Sequence, residues 1–97
     1  MPMKKFKLGE MLMTCGIADE ERSDRDFAMF VNKSIERHGN CDWGDLCDED
    51  KATNDDALKY GGQLMSQYRR KGYPSQRIWI ITEADRSCTT VLFPHEY

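Results

Sequence analysis

The chain lacks any apolar run approaching the roughly 20 residues a membrane helix needs, and Met1-Pro2-Met3-Lys4-Lys5 leads into no signal-peptide core. No membrane span is therefore expected, and the expected location is cytoplasmic. P-loop, G-x-G-x-x-G, H-E-x-x-H and C-x-x-C motifs are all missing, so the short motifs of nucleotide and zinc chemistry give no lead. Proline occurs 3 times, and Leu, Ile, Val and Phe together number 17 of 97. That thin apolar content raises disorder as a question, which a net charge of only -3 and ten aromatics answer in favour of a folded domain. The four cysteines (Cys15, Cys41, Cys47, Cys88) sit far apart in a chain without an export signal, and reduced thiols are expected. His38, Cys41 and Cys47 give H-x2-C and C-x5-C spacing with no fourth ligand nearby, so neither a metal nor a cofactor is expected.

What is present reads as one domain, residues 1–97, with helices first and sheet second. Residues 1–13 read as an edge strand or an arm, and Thr14 to Arg22 as a connection carrying a charge run. Between Asp24 and Arg37, Phe27, Phe30, Val31 and Ile35 recur every three or four residues, the spacing of one helix face, and Ser23 or Asp24 can cap it. A second helix is expected over Leu46 to Tyr60, with acids in its first turn and Gly61-Gly62 at its end. Then the period changes to two. Gln63 to Arg70, Arg77 to Thr82 and Ser87 to Phe93 alternate or are β-branched, and turn residues separate them. Apolar on both faces, Ile78-Trp79-Ile80-Ile81 belongs in a central strand, with Trp79 in the core. The fold class expected is α+β, two helices packed on a three- to four-stranded antiparallel meander.

Seven acids and one lysine between Asp42 and Asp56 dominate the electrostatics. Their spacing lacks the alternate acids, central glycine and twelfth-position glutamate of a calcium loop. Asp42, Trp43, Asp45, Asp48, Glu49 and Asp50 are therefore candidates for a protein-docking surface, with a solvated helix start as the plainer account. In the plainer account of Trp43, the indole plugs the junction between the helices. Arg69, Arg70, Lys71 and Arg77, interleaved with Tyr68 and Tyr73, could hold a nucleic-acid backbone. A sequence pI near 5.3 speaks against nucleic acid as the main partner. Glu83, Asp85 and Arg86 share a tight turn near Thr89, where paired carboxylates could act as acid and base or hold a divalent ion in a small metal-dependent hydrolase. The alternative is a turn whose Asp accepts from its own backbone.

Two segments, DWGDLCDEDKATNDDALKYGGQLMSQY (residues 42–68) and IWIITEADRSCTTVLFPHEY (residues 78–97), resemble a family of small bacterial proteins of plasmids and other mobile elements. Its members are commonly labelled plasmid-related, or as a subunit of a type I restriction system. The shared positions are Asp42, Trp43, Gly44, Asp45, Leu46, Glu49, Asp50, Asn54, Thr82, Glu83, Asp85, Arg86, Thr89, Thr90 and Tyr97; Cys41 stands where the pattern has glycine and Gln63 where it has a basic residue. The resemblance implies context more than chemistry: a cytoplasmic, bacterial, mobile-element protein involved in host defence or in maintenance of the element. The two segments would belong together if Arg86 bridged Asp45 or Asp50. The expected function is a non-enzymatic interaction module with a protein partner, and an unpaired edge at the N-terminal strand would allow a homodimer.

Overall fold

Residues 5–97 are described by the computed structural model. Residues 1–4, with Lys4 and the start of the expected arm, lie outside the described residues. The elements run β1 (Glu10–Met13), α1 (Cys15–Ser23), α2 (Arg25–Gly39), α3 (Asp48–Tyr60), β2 (Leu64–Arg69), β3 (Arg77–Thr82) and β4 (Cys88–Leu92), and a single 3-10 turn (Pro94–Glu96) follows. The fold is α+β, but it has three helices where two were expected. The sheet, in the order β1-β4-β3-β2, is also mixed: β2, β3 and β4 form the antiparallel meander, and β1 joins β4 in parallel.

The helix missing from the sequence reading is α1, taken there as a connection. It is held from outside itself. Thr14 caps its first turn by accepting from the Ile17 amide, and the Thr14 hydroxyl donates to Glu96 at 2.7 Å, 82 residues on. Glu96 also accepts from the Phe93 amide, so one carboxylate ties the last turn to the first helix. Asp24 ends α1 and starts α2: one carboxylate oxygen accepts from the Phe27 amide and the other from Arg70 at 3.0 Å.

On α2 the buried residues are Phe27, Val31, Ser34 and His38, a stripe at steps of four, three and four. Phe27 and Val31 join Ile17, Tyr68, Ile78, Ile80 and Val91 in the main core, with Phe30 and Ile35 packed at its flank. A second cluster of Trp43, Ala57 and Leu64 fills the space under α3, and Phe6 and Leu58 close it. Trp79 departs from expectation. It is half-buried on the sheet face away from Ile78 and Ile80, donating to the Gln67 side chain at 2.9 Å and meeting Tyr97 edge-on. The deeply buried indole is that of Trp43.

Candidate functional site

The segment from Asp42 to Asn54 lies along the outer edge of β2. Backbone groups of a strand alternate sides, and Arg70 donates toward β3 through the Gln76 carbonyl, so Met65, Gln67 and Arg69 turn their N–H groups outward. Each finds a partner in this segment. The Asn54 side chain accepts from the Met65 amide at 3.0 Å and donates to its carbonyl at 2.6 Å, doing with one carboxamide what a neighbouring strand would do. Gln67 donates to the Trp43 carbonyl and accepts from the Asp45 amide at 2.7 Å. Arg69 donates its amide to the Asp45 carboxylate at 2.7 Å. Gly44 bridges to Gln67 with φ of 74°, and a Cβ there would run into the Gln67 carbonyl and the Tyr68 ring. Asp42, Trp43, Gly44, Asp45 and Asn54 thus form a seal on a sheet edge.

Their side chains are engaged as well. Asp42 takes a bidentate pair from Arg37 at 2.7 and 3.2 Å, and that guanidinium holds its carboxyl below the usual range. Tyr68 donates to the Asp42 carbonyl at 2.7 Å, and Trp43 donates to Asp55 at 3.1 Å. Of the six residues expected on a docking surface, Trp43 is therefore withdrawn into the core between α2 and α3, the place the plainer account gave it. Asp42 and Asp45 are exposed but occupied. Asp48, Glu49 and Asp50, the first turn of α3, are exposed, and their carboxylates have no hydrogen-bond or ion-pair partner among the described residues.

The Glu83–Arg86 turn is likewise built from internal bonds. Arg86, at φ of 61°, donates to the carbonyls of Gly62, Glu83, Ala84 and Ala57. It gathers the end of α3 onto the β3–β4 turn. It makes no ion pair with Asp45 or Asp50 among the described residues, so the bridge expected between the two signature segments runs through carbonyls instead. Asp85 accepts from the Ser87 amide at 2.9 Å, and Ser87 holds its carboxyl below the usual range. Glu83 is exposed. Among the described residues, no three His, Cys, Asp or Glu side chains converge as metal ligands would.

Thr89 belongs to a feature the sequence reading missed. Fully buried, it donates to the Leu8 carbonyl at 2.6 Å, and its oxygen lies 2.7 Å from the Thr82 hydroxyl. Thr82 in turn meets His38 Nε2 at 2.9 Å, and His38 Nδ1 meets Ser66 at 2.6 Å. The chain ends on a carbonyl, which can only accept, so the protons are ordered along it. Thr89 donates to Leu8, Thr82 to Thr89, His38 Nε2–H to Thr82, and the Ser66 hydroxyl to the bare Nδ1. Burial lowers the imidazole to about 4, so it is neutral near pH 7. A serine and a histidine at this distance resemble a nucleophile and its base, but both are closed off from solvent, and the relay's geometric role is to fasten α2 to β2, β3 and β4. The signal in the sequence was the continuation of the α2 stripe through Ser34 and His38, two polar residues at core spacing.

Among the basic candidates, Arg69 and Lys71 are exposed. Arg70 is only 6% exposed, pairs with Asp24 and Gln76, and stacks on Tyr73 at 4.0 Å. Lys71, Lys33, Met29 and Tyr73 border an open hollow of about 440 Å³ that Asp26 also lines, so its charge is of both signs. No helix among the described residues is long and apolar enough to cross a membrane. Compared with family models, curated proteins and solved structures, the chain finds no match.

Proposed function

We propose that this protein is a cytoplasmic, non-enzymatic interaction module of the mobile-element kind its two motif segments resemble. It docks a basic protein partner, such as a component of host defence, through the first turn of α3. The observation that carries the reading is the division of labour among the acids. The carboxylates of Asp42, Asp45 and Asp55 are engaged in holding the fold, whereas those of Asp48, Glu49 and Asp50 stand together, exposed and without partners among the described residues. Carboxylates at a helix start are stabilised there by the dipole, so the charge is held in place at little expense to the fold. The nucleic-acid reading loses Arg70 to an internal ion pair, and the hydrolase reading loses Asp85 to its own turn.

The test is affinity capture from the source cells with the wild-type protein and with Asp48→Asn/Glu49→Gln/Asp50→Asn, the fold of each checked by circular dichroism. The expected result is a basic protein retained by the wild type, released by salt, and retained roughly tenfold less by the variant. Identical retention by the two would reject the reading.

A further inference from the structure

Among the described residues, nothing seals the other edge of the sheet. Glu10 donates to the Ser87 carbonyl and Thr14 to the Val91 carbonyl, so residues 10, 12 and 14 turn their backbone groups toward β4. Met11 and Met13 therefore turn theirs outward. All four β1 residues are exposed, and three are large and apolar: Met11 at 41%, Leu12 at 41% and Met13 at 45%. The devices that usually blunt such an edge are missing, for β1 holds no proline and no lysine, and its one charge is Glu10 at the start.

We propose that β1 is the contact edge of a two-fold symmetric homodimer, in which two β1 strands pair antiparallel about Leu12 and join two four-stranded sheets into one of eight. The sequence of the strand is self-complementary in that register. Met11 lies opposite the partner's Met13, and each such pair exchanges two backbone hydrogen bonds through the groups that point outward. Leu12 lies opposite the partner's Leu12, and Glu10 opposite the partner's Thr14, so no like charges meet. Charge flanking the strand selects the same direction. Exposed Lys7 precedes β1, and α1, with three acids (Asp19, Glu20, Glu21) of which Asp19 pairs with Arg22, follows it; Lys5 is held away, its amide donating to the Gly39 carbonyl at the end of α2. Antiparallel pairing brings Lys7 of one copy toward the acidic helix of the other, whereas parallel pairing would set Lys7 beside Lys7. A four-residue strand buries less than the roughly 800 Å² per partner of a standard interface, so the dimer is concentration-dependent. It is independent of the proposed docking surface. Because α3 packs at β2, the dimer would present two acidic faces at opposite ends of the joined sheet.

Sedimentation equilibrium from roughly 1 μM to roughly 1 mM is expected to show a monomer passing into a dimer. Because Leu12 faces itself across the axis, Leu12→Glu and Leu12→Lys should each sediment as monomers, and a one-to-one mixture of the two should recover association at least tenfold above either alone. Met13→Pro removes an outward N–H and no bond to β4, so it should weaken the dimer about tenfold while leaving the circular dichroism of the monomer unchanged. A wild type that stays monomeric over the whole range overturns the proposal, whether or not β1 then takes up an extended segment of another protein. So does a dimer that the charged mixture fails to restore.

Discussion

The two edges of one sheet are treated in opposite ways. At β2 every outward N–H group is occupied, by a carboxamide 11 residues upstream, a carbonyl, and a carboxylate 24 residues upstream. At β1 the outward groups of Met11 and Met13 find no partner among the described residues and lie beside exposed apolar side chains. The comparison teaches that most of the residues singled out between Asp42 and Asn54 serve the fold. A stretch rich in acids and tryptophan looks like a binding site when read as composition, but its geometry is that of a surrogate strand. What remains for partners is what the seal does not use, the first turn of α3 and the far edge.

The sharpest way to break the comparison is at Gly44. Alanine there drives a Cβ into the Gln67 carbonyl at a backbone angle that favours glycine, and a loss of roughly 3 kcal/mol or more in chemical denaturation is expected. Asn54→Ala leaves the amide and the carbonyl of Met65 unpaired under a buried side chain. About 2–4 kcal/mol should be lost, together with faster exchange at Met65. The buried relay supplies a pH test of similar size. His38 titrates near 4 in the folded protein against about 6.5 unfolded, so below 6.5 the unfolded chain binds the extra proton. Stability should then fall by about 3 kcal/mol between roughly pH 6.5 and pH 4 and flatten beneath, a component absent from His38→Gln. Asp45→Ala, at an exposed position, should weaken the seal at Arg69 alone and cost about 1 kcal/mol. At the open edge, Met13→Pro should change the stability of the dilute monomer by less than about 0.5 kcal/mol, the smallest effect of the series.

Much of this arrangement was legible in the sequence. The period of 3.6 in α2, the diglycine after α3 and the period of two beyond it located two helices and the three strands of the meander, because each is signalled by neighbours in the chain. The features that escaped are held by distant residues. The helix α1 buries only Ile17 and is fastened through Glu96 at the other end of the chain, so nothing in its own nine residues distinguishes it from a charged connection. The parallel pairing of β1 with β4 joins strands separated by most of the chain and has no local signature. Ser34 and His38 continue an apolar stripe in polar letters; the Ser34 hydroxyl donates back to the Phe30 carbonyl, and the hydroxyls of Ser66 and Thr82 make the burial of His38 tolerable. Trp43 took the plug position under α3 that its plainer account gave it, whereas Trp79, expected in the core from its apolar neighbours, is half-buried on the other face of the sheet. At Cys41, where the resemblance led to an expectation of glycine, φ is 63°, a left-handed angle that glycine adopts without strain.

Amide hydrogen exchange on the dilute protein compares the two edges residue by residue. The account predicts slow exchange at Met65, Gln67 and Arg69, whose amides the Asp42–Asn54 segment occupies, and fast exchange at Met11 and Met13. Equal protection at both edges, or fast exchange at Met65 and Gln67, would contradict it.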